Sequence, residues 1–222
     1  GNHIILLDKS GTRKKFVITG AIYDAKGGWP VAQASVYEVD GKSVTSSDAL
    51  GAFNLEVSGE HSRTAVLVMR KEYHDTVVYV GRDGAIPRLA LVKRAVITQV
   101  EPICLYDRCG VEDLGVARLL VPNSQFDLTS NLDIAEHRQW QISVVPNVST
   151  NKDIAPIAVN TVSLNVLAGY SRGLEGFEIG GVANIESHDM RGMQIAGGTN
   201  LVGRNTNGVQ VAGAINHTMQ SL

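Results

Sequence analysis

The sequence predicts an all-β protein in which a β-sandwich precedes a glycine-rich β-repeat region. Short alternating runs of apolar and polar residues, separated by turn residues, fill residues 16–93, as in a sandwich of short strands. A phrase that recurs at every sixteenth residue fills much of residues 139–222, which is the usual sign of stacked repeats. Residues 94–138 are interpreted as a structured connector. Residues 1–15, which begin with Gly instead of Met, are interpreted as the remnant of a leader or tag.

Alternation and turn residues predict about seven short strands in the first part. Strands are expected at residues 16–23, 33–39, 52–57, 64–70, 76–80 and 89–92, with a hairpin turn at Asp40-Gly41. Gly51 is expected to adopt a positive φ in a turn. The side chains expected to point into the core are Val36, Phe53, Leu55 and Val57.

This stretch resembles the carboxypeptidase-regulatory-like domain, a transthyretin-like sandwich that is common in envelope proteins of Gram-negative bacteria. The matching residues are Gly20, Asp24, Gly28-Trp29-Pro30-Val31, Ala34-Ser35-Val36, Asp48, Gly51, Phe53 and Tyr73. Glu72 departs from the family, which usually has Gly there. The resemblance covers residues 16–92 and implies a transthyretin/Ig-like sandwich in an envelope protein.

Three copies of one phrase lie between residues 176 and 216. Equivalent positions at the constant spacing include Gly176, Gly192 and Gly208, and also Asn184, Asn200 and Asn216. Each copy alternates, which predicts a strand followed by a turn and a short return. Glycine and alanine occur within each strand on both faces, which indicates close approach of neighbouring backbones.

Two arrangements fit this repeat. In a β-solenoid each copy forms one coil and equivalent residues stack about 4.8 Å apart. In an antiparallel meander each copy is one strand with its connection. Identity at the same position in every copy favours the solenoid. Two earlier stretches, 140–147 and 162–171, are interpreted as decayed copies, with Trp140 aligned on Met193.

The second part also resembles a known group. From about residue 137 to the end, phrases such as RQWQISVVPNVSTN and GMQIAGGTN are similar to a glycine-rich surface-repeat family found beside such sandwiches. The resemblance implies a location at the envelope or cell surface, and it supplies no catalytic residues.

The connector has less regular patterning. It predicts a strand at 96–100 and helices near 114–120 and 126–136. Cys104 and Cys109 are the only cysteines, and in an oxidising envelope compartment this close pair favours a disulfide over two reduced thiols. Asp107, Glu112 and Asp113 form a small acidic cluster beside Cys109, for which a bound divalent ion is the alternative to solvated carboxylates.

Composition and motifs exclude several classes. The net charge of −2 gives no electrostatic basis for binding nucleic acid, and no apolar run reaches the length of a transmembrane helix. The chain lacks a nucleophile elbow, a zinc helix and a phosphate loop, and its six histidines are scattered singly. The sequence therefore predicts no catalytic site, no cofactor and no metal site.

The expected function is that of a non-enzymatic cell-envelope or surface protein, exported to the periplasm, outer membrane or cell surface, in which an adaptor sandwich carries a repeat scaffold. One alternative is a surface module that binds a glycan or a peptide through stacked amides. The other is a fragment of a larger outer-membrane β-protein. The stacked residues, whose alternative role is to bond one another inside the stack, are Glu178, Gln194, Gln210, Asn184, Asn200 and Asn216.

The end of the repeat raises a separate expectation. The last copy is followed only by HTMQSL, which has no charged side chain and no proline. An exposed strand edge invites pairing, so we expect the edge after Gly208 to be covered by a second molecule in a homodimer or by the connector around 94–136.

Overall fold

The structure, a computed structural model, describes residues 15–39, 43–58, 63–81, 84–95 and 110–220. The chain divides into two compact units. The first comprises residues 1–97 and 130–132, and the second comprises residues 98–129 and 133–222. The first is a two-sheet β-sandwich and the second contains a β-solenoid, so the predicted all-β fold class is confirmed.

Seven strands form the described part of the sandwich. They are β1 Lys15–Asp24, β2 Ser35–Glu38, β3 Val44–Ser46, β4 Ala52–Ser58, β5 Arg63–Met69, β6 Thr76–Gly81 and β7 Ala85–Leu91. One sheet has the order β4-β1-β7 and the other β3-β2-β5-β6, and only the β1–β7 pair is parallel. The last strand begins at Ala85, earlier than expected, and includes Pro87. An edge strand tolerates proline because one side of its backbone has no ladder partner.

The sandwich core confirms the predicted inward positions. Val36, Phe53, Leu55 and Val57 are each at most 3% exposed. The ring of Phe53 lies directly against Gly20, where a Cβ atom would come within 2.8 Å of ring carbons. Gly51 has a φ of +74°, as predicted for its turn. The absence of a Cβ atom at Gly20 therefore makes room for the ring of Phe53 in this core.

Asp24 organises the turn after β1. Its carboxylate accepts hydrogen bonds from the backbone amides of Gly27 at 2.5 Å and Lys26 at 2.9 Å. The hydroxyl of Tyr73 donates to the other carboxylate oxygen at 3.2 Å. These donors, with the Gly27 amide first, lower the pKa of Asp24 because they stabilise its charged form.

Two α-helices and two 3₁₀ helices belong to the rest of the described chain: α1 Gly115–Leu120, α2 Asn123–Asn131, and the 3₁₀ helices Val111–Asp113 and Lys152–Ile157. The helix predicted near 114–120 is confirmed. The helix expected over 126–136 is misplaced, because it begins directly after Pro122, whose fixed φ suits a helix start, and the chain enters a strand at Glu136. The strand expected at 96–100 lies outside the described residues.

Ten strands follow in the second unit. They are β8 Glu136–Val145, β9 Val148–Ser149, β10 Ala158–Asn165, β11 Ala168–Ser171, β12 Gly173–Gly180, β13 Ala183–Glu186, β14 Met190–Ala196, β15 Thr199–Val202, β16 Thr206–Ala212 and β17 Ile215–Thr218. One sheet has the order β16-β14-β12-β10-β8-β9 and the other β11-β13-β15-β17. All pairs are parallel except β8–β9. The repeat is therefore a solenoid of about four coils and not a meander.

Register explains why the sequence repeat is clear only at the end. The last three coils stack at the constant step of the sequence repeat, as in Gly176, Gly192 and Gly208. The first step is shorter by one residue, since Ala168 pairs with Ala183, and the register shifts within the β10–β12 pair. Trp140 does stack in the row of Met193, as the alignment predicted. After β8, however, the chain turns back and β9 pairs antiparallel with it, so this segment does not form a coil like the later ones.

The two solenoid sheets differ on their outer sides. The four-stranded sheet is covered by the first helices, where Val111, Leu114 and Ala117 share a buried cluster with Tyr170 and Ile185. The described part of the connector from residue 111 to residue 121 thus packs on the outer side of this sheet. Among the described residues, no helix is long and apolar enough to span a membrane.

The outer side of the six-stranded sheet carries two rows of apolar side chains, which we call the apolar face. The first row is Trp140, Val162, Phe177, Met193 and Val209. The second row is Ile142, Leu164, Ile179, Ile195 and Val211. Eight of these ten side chains are 36–56% exposed, and the other two are half-buried.

We expect Phe53→Ala to lower the free energy of unfolding of the sandwich by about 3–5 kcal/mol, because a buried ring leaves a cavity. Chemical denaturation of the full chain measures this loss of stability. The signal is the fluorescence of Trp29, in a chain whose Trp140 is replaced by Phe. The matched control is Val77→Ala on β6, where the side chain is 53% exposed, and its effect should be much smaller. An unchanged midpoint for Phe53→Ala would contradict the core assignment.

Candidate functional site

A column of glycines allows the solenoid coils to approach each other. Gly176, Gly192 and Gly208 pair in register, with φ angles of +151°, +120° and +153°. A Cβ atom on Gly192 would collide with the carbonyl of Gly176, and one on Gly208 with the carbonyl of Gly192. Only glycine satisfies both the conformation and the close contact, which explains why it recurs at this position.

The repeated asparagines form a hydrogen-bonded ladder inside the solenoid. Asn184 donates to Asn200 at 2.9 Å, and Asn200 donates to Asn216 at 2.8 Å. The same two amides also donate to the backbone carbonyls of Ile195 and Val211, both at 2.9 Å. Each asparagine therefore joins its neighbour in the stack to a strand of the opposite sheet.

The first coil completes this ladder with a different residue. Gly169 occupies the stacking position of the asparagines. The side chain of Asn165 fills the space beside Gly169, where a Cβ atom would collide with it. From there Asn165 donates to Asn184 at 2.9 Å and to Glu178 at 2.8 Å. Asn165 was not predicted as part of the ladder, because it pairs with Gly180 and not with a residue of the asparagine row.

Glu178, Gln194 and Gln210 form the second ladder. Gln210 donates to Gln194 at 2.9 Å, and Gln194 donates to Glu178 at 2.7 Å. Glu178, Gln194, Asn184 and Asn200 are each at most 1% exposed. Gln210 is half-buried and Asn216 exposed, in the last coil. The structure thus brings all six predicted residues together in two internal ladders, with access from solvent only at the end of the stack.

A second carboxyl lies against Glu178. Glu186 is 1% exposed and accepts a hydrogen bond from Ser171 Oγ at 2.5 Å. Burial, and then the charge of Glu178, raise the pKa of Glu186 well above its usual value of 4.5. Glu186 therefore keeps its proton at pH values where an exposed glutamate is ionised, and it can donate that proton to Glu178.

A column of polar residues lines one corner of the solenoid. Arg172, His188, Arg204 and Gln220 follow one another at the step of the repeat, and each backbone amide donates to the preceding member's carbonyl at 2.8–3.2 Å. The histidines were interpreted as isolated, so this column was not predicted, although its members have the same sixteen-residue spacing. Arg172 also donates to Asp133 at 2.6 Å, and this arginine lowers the pKa of Asp133.

A pocket of about 220 Å³ opens at this corner. Its lining includes Arg172, His188, Arg204, Glu175 and Arg191. Burial, and then the two nearby charges of Arg172 and Arg204, lower the pKa of His188 to about 4, so the imidazole is neutral at neutral pH. The pocket therefore offers guanidinium donors and carboxylate acceptors together, a set that suits hydroxyl or peptide groups.

The other predicted sites are less well defined. Cys104, Cys109 and Asp107 lie outside the described residues, so the disulfide stays a prediction. Glu112 and Asp113 lie in the first 3₁₀ helix, where Asp113 accepts a hydrogen bond from Arg118 at 2.9 Å. Within the described ranges, no three His, Cys, Asp or Glu side chains are grouped so that they could hold a metal ion.

Comparison of the chain with protein-family models gave no match, and comparison with curated protein sequences gave no significant match.

We expect Gly192→Ala to lower the free energy of unfolding of the solenoid by about 2–4 kcal/mol. The new Cβ atom would collide with backbone atoms, and the φ angle there is unfavourable for alanine. The control is Gly115→Ala in α1, where a Cβ atom meets nothing within 4 Å and helix propensity should raise stability slightly. Thermal unfolding followed by Trp140 fluorescence, with Trp29 replaced by Phe, measures both. Equal stability of the two variants would show that the glycine column is dispensable.

We expect Glu186→Gln to raise the stability of the solenoid increasingly as the pH rises. The raised pKa means that stabilisation by the protonated carboxyl is fully present below about pH 4.5 and is lost as the pH rises through the native value. The glutamine amide can donate to Glu178 and accept from Ser171 at any pH.

The measurement is the difference in melting temperature between the variant and the unaltered chain from about pH 5 to pH 9. His188 is present in both proteins, so its own titration cancels in this difference. Asp153→Asn, at an exposed carboxylate of the same unit, serves as the control and should leave the melting temperature nearly unchanged. If the difference in melting temperature for Glu186→Gln does not change with pH, Glu186 does not retain a proton that it donates to Glu178.

Proposed function

We propose that this protein is a non-enzymatic component of the cell envelope or surface, in which a sandwich adaptor carries a rigid solenoid scaffold. The observation that carries this proposal is the use of the repeated residues. The glycines, asparagines and glutamines that recur at the step of the repeat bond or contact their counterparts in neighbouring coils. Repetition therefore maintains a stack, and a stack of this kind provides a long rigid surface.

The envelope location is supported by resemblance. The residues that resemble a carboxypeptidase-regulatory-like domain, including Asp24, Gly51 and Phe53, have definite structural roles in the turn, the positive-φ position and the core. The glycine-rich phrases, which resemble a surface-repeat family, build the solenoid. Both resemblances imply export to the periplasm, outer membrane or cell surface.

A glycan- or peptide-binding module is the second candidate, and the corner pocket favours it. Arg204 is exposed beside Glu175 and Arg191, so donors and acceptors of both charges are available to a ligand of many hydroxyl or amide groups. The amide ladders favour this candidate less, because their inner members already bond each other and are closed to solvent.

Pairing of two copies along the last coil is a separate candidate for self-association. β16 pairs only with β14 and β17 only with β15 among the described strands, so one edge of each carries unpaired backbone groups. Asn216 and Gln210 lie at this end. A second copy pairing along the edge would continue both sheets and cover these groups.

The test combines location with binding. We expect the tagged full-length gene product to fractionate with the envelope of its own host. We expect the purified chain to give no saturable binding in a screen of glycans and peptides. A cytosolic location would contradict the envelope proposal. Saturable binding that Arg204→Ala weakens at least tenfold, but the exposed helix variant Arg118→Ala does not, would replace the scaffold by the binding module.

A further inference from the structure

The apolar face reverses the usual polarity of a sheet. The inner side of the six-stranded sheet carries polar side chains that are buried, namely Gln141, Ser163, Glu178 and Gln194. Its outer side carries the two apolar rows. In an ordinary half-exposed sheet the polar side chains face water. Here the side chains facing water include Trp140 at 56% and Val209 at 55% exposure.

The size of this face is that of a protein interface. Ten side chains that are mostly about half exposed present on the order of 700 Å² of apolar surface. The largest apolar patch on a monomer usually covers about 300–600 Å². A stable interface of standard size removes about 800 Å² from each partner. The face therefore matches one side of a standard interface.

From these observations we infer that the apolar face is the docking surface for the same face of a second copy of this chain. The inference goes beyond the proposed scaffold role and does not depend on the envelope location. Two sheets packed face to face lie about 10 Å apart with interdigitated side chains. Rows that repeat at every strand offer equally spaced ridges and grooves, so two copies related by a two-fold axis present matching surfaces.

The border of the face favours a copy over a lipid surface. At the beginning of the strands, Glu175 lies between His137, whose Nδ1 is 3.6 Å from a carboxylate oxygen, and Arg191, whose Nη1 is 3.8 Å from the other. A two-fold axis can place Glu175 of one copy near Arg191 of the other. An anionic membrane surface instead attracts a border of lysine and arginine without acidic residues.

Trp140 provides a local probe of this surface. The test uses the full chain with Trp29 replaced by Phe, so that fluorescence reports Trp140 alone. We expect sedimentation velocity to show a monomer–dimer equilibrium between about 1 and 100 µM. Over the same concentrations, Trp140 emission should shift to the blue and its quenching by acrylamide should fall.

The decisive variant is Ile142→Lys combined with Ile179→Lys, which places charges in the second row at side chains that are 45% and 41% exposed. It should weaken dimerisation at least about 100-fold, since buried unpaired charges are costly. Leu119→Lys on α1, where the side chain is 84% exposed, is the matched control and should leave the dimer unchanged. Circular dichroism checks that each variant is folded, and a single Ile142→Lys variant replaces the double variant if it is not.

Three results would overturn the inference. The first is a chain that stays monomeric at about 100 µM while Trp140 remains open to acrylamide. The second is a dimer that survives the lysine variants and protects the amides of 209–216 from hydrogen exchange, which assigns dimerisation to the β16 and β17 edge. The third is a monomer whose Trp140 shifts to the blue only with phosphatidylcholine vesicles, which assigns the face to lipid. None of these results bears on the envelope location, so failure here leaves the proposed function separately testable.

Discussion

In-register stacking of backbone is the constraint on which the solenoid depends. Parallel strands about 4.8 Å apart place every residue directly against its counterpart in the next coil. At Gly192 this leaves no room for a Cβ atom between its own backbone and the carbonyl of Gly176. The glycine column, the amide ladders and the apolar rows are all consequences of one geometry, in which a residue that suits one coil suits the next.

Stacking also explains why much of the inside of the solenoid can be polar. An asparagine or glutamine that is buried needs partners for several donors and acceptors, and an identical side chain one coil away supplies them. Asn184 and Asn200 meet this need by bonding the amide on either side in the stack and one backbone carbonyl each. A slip of one coil by a single residue would bury these amides without partners, so the ladders specify the register.

The acidic pair in the interior is not satisfied by repetition alone. Glu186 lies against Glu178, and two buried carboxylates side by side would repel each other. A retained proton turns this repulsion into a hydrogen bond, while Ser171, Gln194 and Asn165 donate to the remaining oxygens. The pair therefore makes the stability of the solenoid dependent on pH.

Much of the fold could be predicted from the sequence, and the part that could not has identifiable causes. The glycines at 176, 192 and 208 predicted in-register coils, because stacking imposes the same steric constraint on the equivalent position of each copy. The role of Asn165 was hidden by the shorter first step. Helix α2 was misplaced because its start at Asn123, directly after Pro122, was not recognised.

The apolar face was hidden for a more general reason. Alternation shows that two faces differ, but it does not show which one points inward. Apolar side chains are usually buried, so Met193 and Ile195 would be expected inside and Gln194 outside. In the structure Gln194 is buried, and Met193 and Ile195 lie on the outer side. In the middle of these strands the interior accepts amides because they bond along the stack, whereas Leu174 and Met190 are buried at the beginning of the strands. A surface with repeated apolar rows is therefore a direct result of the polar ladders within, and the residues that hold one coil on the next also determine what the solenoid presents to a partner.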